Sequence, residues 1–209
     1  MIERHGAKGS FHALDQATRV PPLARRLQHS RGMATNMLTL LERCIGLERA
    51  AATVYELLAR RFAADAELAA LWAAMARDEH GHARKLADWR ELIVRQPADH
   101  RPAASGFDGD VAEVQHLLAE SRIAAETADE EEAFAIALAM ESSELDFIYT
   151  TLLQGSPIAR YPDMADTVRH ETAGHHEKLL DMVRRRCRAE KTMLRAALLA
   201  GHHRPDSRP

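Results

Sequence analysis

Four stretches of this chain repeat apolar residues at helical spacing, and each aims a carboxylate along its apolar stripe. The first stripe is Leu41, Cys44, Ile45, Glu48, Ala52 and Tyr55. The second is Trp72, Met75, Glu79, His82, Leu86 and Ile93. The third is Phe134, Leu138, Glu141, Leu145 and Ile148, with Glu144 one turn beyond Glu141. The fourth is Met164, Val168, Glu171, His175, Leu179 and Met182. Residues three or four apart share a helix face, so each acid is directed where its apolar neighbours point. One buried, unpartnered carboxylate costs several kcal/mol. Five of them would unfold a domain whose whole stability is about 5–15 kcal/mol. Two divalent cations held by carboxylate and imidazole resolve the conflict. Mixed oxygen and nitrogen donors suit iron or manganese, and the lack of thiolate donors disfavours structural zinc.

The segments bearing these stripes are long, which makes the chain all-α. Helices are predicted over about residues 37–62, 66–94, 130–153 and from 162 to at least 188. A shorter helix at about 111–127 follows a loop rich in Pro, Gly and Asp at 95–110. Gly155 and Pro157 are expected to stop the third long helix. A short link makes the first two helices antiparallel, and the long link lets the third cross over. The expected architecture is a four-helix bundle with a long crossover between the second and third helices. Residues 1–36 read as a disordered leader, 37–190 as the bundle, and 191–209 as a helix end with a flexible tail. Two further readings of the leader are a start at Met33 or Met37, and an Arg-rich targeting peptide.

With 46% hydrophobic but only 5% aromatic residues, the composition favours helices. A net charge of -3 gives no basic field for nucleic acid. No apolar run reaches the ~20 residues of a membrane span. Cys44 and Cys187 form no CxxC pair, and a reducing cytoplasm is the default location. The remaining histidines are expected to face solvent, including His80, His170, His176, His202 and His203, or to lie in the leader, loop or crossover (His12, His29, His100, His116). The run Arg184–Arg188 is expected to be a solvated face, with docking of an acidic redox partner as the lesser reading.

The pattern resembles the ferritin-like di-iron carboxylate proteins, and within them most closely the rubrerythrin di-iron domain. Three features carry the likeness: two acids three apart in "MESSEL", Tyr55 and Tyr149 seven and eight residues after Glu48 and Glu141, and the pairs Glu79/His82 and Glu171/His175. It spans about residues 38–182. The resemblance implies two iron ions, manganese or a mixed pair being the alternative. It makes Glu79 and Glu171 the bridging ligands. Glu48 would be a terminal ligand of one ion, and Glu141 with His175 would bind the other. Glu144 and His82 would exchange at the first ion as the redox state changes. Tyr55 and Tyr149 would hydrogen-bond the carboxylates.

The activity implied is reduction of hydrogen peroxide, or of dioxygen, by a di-iron oxidoreductase, and relatives suggest a homodimer. Rubrerythrins often carry a four-cysteine iron domain that delivers electrons. This chain lacks those cysteines, so an external electron-donor protein is implied. The alternatives are a ferroxidase that handles iron, an oxygenase acting on an organic substrate beside the ions, and a metal-free structural bundle.

Overall fold

The computed structural model describes residues 35–96, 103–104, 108–143 and 162–202, without the side chains of 35–36, 103–104, 108–110, 162–173 and 201–202. These residues are helical apart from one short antiparallel pairing. Six helices follow in chain order: α1 (Met37–Arg61), α2 (Ala66–Val94), α3 (Asp108–Ala125), α4 (Glu130–Glu141), α5 (Pro162–Arg186) and α6 (Glu190–His202). Strands β1 (Thr35–Asn36) and β2 (Ala103–Ala104) pair Thr35 with Ala104 and Asn36 with Ala103. Thr35 and Asn36, counted with the leader on sequence, are thus tied to the segment preceding α3. Residues 1–34 lie outside the described residues.

Helices α1 and α2 form an antiparallel hairpin around one apolar core. The link between them is short because both ends are closed locally. The Phe62 amide donates to the Leu58 carbonyl at 2.9 Å. The Asp65 carboxylate accepts from the Glu67 and Leu68 amides at 3.1 Å each, capping α2. The stripes read from sequence point inward, with Leu41, Tyr55, Trp72, Met75, Leu86 and Ile93 all buried. Tyr55 stacks on Trp72, and Trp72 contacts Phe134 of α4. Helix α3 lies along α1, α5 against α2, and α6 against α4 and α5. Among the described residues no helix is long and apolar enough to cross a membrane.

Three boundaries differ from expectation. Helix α3 begins at Asp108, inside the predicted loop. Helix α4 closes at Glu141 with Ser142 as its C-cap, and the rest of the predicted helix, 144–153, lies outside the described residues. Ser143 donates from both its amide and its hydroxyl to the Met140 carbonyl, at 3.1 and 2.5 Å. Those bonds tighten the last turn, a competition that serine side chains offer any helix. The predicted fourth helix also breaks after Arg186, and α6 continues to His202. The Glu131 carboxylate accepts from the Arg188 and Ala189 amides at 2.6 and 3.1 Å, capping the start of α6.

The basic run of α5 is an internal fastener. Arg186 grips Glu130 with two bonds at 2.7 and 3.2 Å and reaches Asp65 at 2.6 Å. Arg185 pairs with Glu67 and Asp181. This joins the end of α5 to the starts of α2 and α4. Arg186 is partly buried in these pairs, while Arg184, Arg185 and Arg188 stay exposed, as expected of a solvated face.

Gly174 stands in the interior of α5, and a Cβ built there meets nothing within 4 Å. Glycine is about 1 kcal/mol worse than alanine at such a position. Gly174→Ala is therefore expected to stabilise the protein by about 0.5–1 kcal/mol, raising Tm by roughly 1–4 °C. Thermal unfolding checks this, and a lowered Tm would show that Gly174 is in close contact after all.

Candidate metal centre

Four helices deliver charged side chains to one buried point. Glu48 comes from α1, Glu79 and His82 from α2, Glu141 from the last turn of α4, and His175 and His176 from α5. Glu79 and His82 sit one turn apart, and His82 Nδ1 lies 2.9 Å from Glu79 Oε2 and 3.6 Å from Glu48 Oε2. On the other side, His175 Nε2 lies 3.3 Å from Glu79 Oε1 and 2.8 Å from Glu141 Oε1. His176 Nε2 is 2.7 Å from Glu141 Oε2. The Tyr55 hydroxyl donates to Glu141 Oε1 at 2.5 Å.

These contacts resolve into two donor groups. Glu48, Glu79 and His82 can bring one ligand atom each to a common point, and so can Glu79, Glu141 and His175. Within each group the ligand atoms lie within 4.8 Å of one another. Glu79 belongs to both, with one carboxylate oxygen turned to His82 and the other to His175. The donors are carboxylate and imidazole throughout, a set suited to iron, manganese or zinc. Cys44, one turn before Glu48, is buried, and burial pushes its thiol up to about 12. It stays a thiol, which agrees with an all-oxygen-and-nitrogen donor set.

The electrostatics show how much compensation the acids require. Burial raises the pKa of Glu79 most, and the Glu48 and Glu141 charges add to it against the pull of His82. Glu141 goes the other way. Burial would raise it, but His175 and His176 outweigh burial and hold it well below the usual carboxylate range. The difference follows from the company each keeps: the His175 charge and the hydrogen bonds of His175 and His176 act on Glu141, whereas Glu79 has His82 at 2.9 Å and His175 only at 3.3 Å, with the charges of Glu48 and Glu141 against it. Burial lowers an imidazole, yet Glu48 and Glu79 overcome it and lift His82 to about 10. His175 is likewise raised well above its ordinary value, with Glu141 the main cause acting against burial. Three buried carboxylates thus demand positive charge from whatever neighbours them.

Of the residues singled out on sequence, the structure brings Glu48, Glu79, His82, Glu141, His175 and Tyr55 together. Glu144 and Tyr149 lie outside the described residues, as do Leu145 and Ile148 of the third stripe. Glu171 falls on α5, one turn before His175, but its side chain is outside the described set.

Two participants were not expected. His176, assigned to solvent on sequence, is 1% exposed and bonded to Glu141. Neighbouring residues on a helix diverge by about 100°, so a narrow stripe passes only one of them. The end of α4 is wide enough in charge to engage both, since Glu141 offers one oxygen to each imidazole. The doublet "HH" was the available signal. Asp78 is the other, with Oδ2 3.5 Å from His175 Nδ1 and 2.9 Å from Lys178 Nζ. Contact with His175, opposed by burial and helped by Lys178, holds its carboxyl down at about 2. At 3.5 Å this is a charge contact and not a hydrogen bond, since His175 Nδ1 has no hydrogen-bond partner among the described residues. His80 is half-exposed and pairs with Glu56 at 3.0 Å.

No protein-family model matches this chain, and no curated protein and no solved structure matches it. The likeness to rubrerythrin rests on the residues themselves.

Proposed function

We propose that the protein is a di-iron oxidoreductase with a ferritin-like four-helix bundle, reducing hydrogen peroxide with electrons from an external donor protein. The observation that carries this reading is Glu79, a single buried carboxylate shared by two Glu/His donor groups. One carboxylate placed between two such groups is the arrangement a pair of ions requires, and a single structural ion does not. In this reading Glu171 would be the second shared carboxylate, and Glu144 and His82 would be alternative ligands of one ion.

A reduced ion pair supplies two electrons, so peroxide and two protons become two waters. The protein's residues set the conditions for that transfer. Tyr55 and His176 fix Glu141 from two sides, and the Asp78 charge lies 3.5 Å from the far nitrogen of His175. The Tyr55 hydroxyl is also a proton source 2.5 Å from a ligand oxygen. The apolar wall of Trp72, Met75 and Leu86 excludes bulk water from this end of the core.

A second reading draws on a cavity of about 790 Å³ whose wall includes His82 and Asp78. Room beside the donor groups suits an oxygenase that oxidises an organic substrate with dioxygen. The same cavity argues against iron handling, because Arg77, Arg84, Lys85 and Lys178 line it and repel incoming ferrous ions.

The deciding experiment is anaerobic reduction of the iron-loaded protein, then stopped-flow mixing with peroxide and, separately, with oxygen. Peroxide is expected to oxidise the centre faster. Glu144→Ala is expected to keep most of the iron and slow that oxidation about 10–100-fold, equal to about 1.4–2.7 kcal/mol in the barrier. An unchanged rate would overturn the exchange of Glu144 with His82. Much faster reaction with oxygen, with turnover of added ferrous ion, would establish the iron-handling alternative.

A further inference from the structure

The donor groups lie deep, and any small reactant has to reach them. Tyr55, Trp72, Met75 and Leu86 pack into the same core with no exposed surface. Close-packed interiors hold few voids larger than a water molecule, so these side chains leave no ready path. The cavity of about 790 Å³ offers a different approach, along one face of α2 and past Gly174 and Lys178 of α5. Two of its wall residues also belong to the centre. His82 turns Nδ1 toward Glu79 at 2.9 Å and toward Glu48 at 3.6 Å, and it lines the cavity as well. Asp78 lines it too, with Oδ2 3.5 Å from His175 Nδ1. One imidazole ring therefore stands between the cavity and the first donor group.

Two glycines thin the walls. Gly81 and Gly174 line the cavity from the interiors of α2 and α5, where glycine is the poorest residue except proline. Each stands directly before a donor imidazole, Gly81 before His82 and Gly174 before His175. Close approach of a neighbouring backbone is the usual reason for such a glycine. Neither position has that reason. A Cβ at Gly174 would meet nothing within 4 Å, and one at Gly81 only Arg84 Nη2 at 3.9 Å, an ordinary contact. What the missing side chains leave is open space, and at both positions that space is the cavity.

We propose that this cleft between α2 and α5 is the entrance by which a small reactant reaches the donor groups, arriving at His82, and that Gly81 and Gly174 hold it open. The inference rests on the metal reading above and adds the route to it. Hydrogen peroxide and dioxygen are far smaller than the cleft, whose volume falls in the range of small-molecule sites. The competing explanation is a surface groove that ends at His82 and carries nothing inward.

The test sets a removable plug in the cleft of the full-length, iron-loaded protein. Cys44 and Cys187 are buried, and burial pushes both thiols up to about 12, so an introduced cysteine is the reactive one. Gly174→Cys and, from the α2 wall, Ala87→Cys are labelled with benzyl methanethiosulfonate. Ala197→Cys, exposed on α6 and outside the cavity wall, is the control. Two rates are read: oxidation of the reduced centre by hydrogen peroxide, and binding of azide to the oxidised centre, followed by its absorption spectrum. The label at either cleft position is expected to slow both at least about tenfold, because the plug has to move aside before anything enters. Removing it with dithiothreitol and desalting should restore both rates, and the label on Ala197→Cys should change neither. Iron content should stay constant throughout. Unaltered rates in the two plugged variants, with labelling confirmed by mass, would overturn the proposal. So would equal slowing in the Ala197→Cys control. A parent that holds its iron yet reacts with neither peroxide nor azide would overturn the redox reading itself, and this inference with it.

Discussion

Glu79→Ala is expected to leave the protein unable to hold either ion of the pair. Glu79 is the one residue common to both donor groups. Without it the first retains Glu48 and His82 and the second Glu141 and His175, two donors each among the described residues. Two donors in place of three cost an ion most of its affinity, since each ligand bond is made against water. Glu48→Ala makes the sharper contrast. It removes a donor from one group and leaves Glu79, Glu141 and His175 intact. Anaerobic loading with ferrous ion followed by elemental analysis should give about two ions per chain for the parent, about one for Glu48→Ala, and close to none for Glu79→Ala. Both alanines also remove a buried carboxylate, so a general loss of folding would affect them alike; the stepwise difference is what a shared ligand alone produces. Full two-ion occupancy in Glu79→Ala would sink the assignment.

The parts of this arrangement that were legible in the sequence are those set by local periodicity. The link closed at Phe62 and capped by Asp65 fixes α1 against α2, and period then dictates that Glu48, Glu79 and His82 point inward with Tyr55, Trp72 and Leu86. Glu141 and His175 follow in the same way from Phe134, Leu138 and Leu179. What could not be read was set by contacts between distant segments. The break between α5 and α6 depends on Glu131, 57 residues earlier, accepting the Arg188 amide. The pairing of Arg186 with Glu130 and Asp65 is equally remote. His176 illustrates the limit of stripe reasoning itself. Period places it off the line of His175, and only a carboxylate with two free oxygens brings both rings inward. The cavity was invisible for a related reason, since its lining combines residues of α2 with Gly174 and Lys178 of α5, nearly a hundred positions later.

Removing the metal is expected to lower Tm by roughly 10 °C, and the deficit should grow as the pH rises. The first part follows from mass action: an ion present at about 1,000 times its Kd stabilises the folded state by about 4 kcal/mol, each worth about 2–4 °C in a chain of this size. The second part follows from the directions of the pKa shifts. In the metal-free protein His82 stands at about 10 against an ordinary 6.5. A raised imidazole contributes stability that is fully present below pH 6.5 and is lost as the pH climbs through about 10. Glu79 is also raised, so each step above its ordinary range charges a buried carboxylate and subtracts further. Glu141 is depressed, and its contribution is lost only as the pH falls through the acid range, outside this window. The shifts of Glu79, His82 and His175 that act between pH 7 and 10 therefore weaken the metal-free fold. A bound ion needs a neutral imidazole and an ionised carboxylate, so the loaded form escapes this loss, and loading at pH 7 should release protons from His82, His175 and Glu79. Paired melts with and without manganous ion at pH 6, 7, 8 and 9, under argon, read the trend. Proton uptake or release on loading can be measured in a weakly buffered solution with an indicator dye. A gap in Tm that stays constant or narrows with pH, with no proton release, would mean that Glu79 and His82 meet water and not each other.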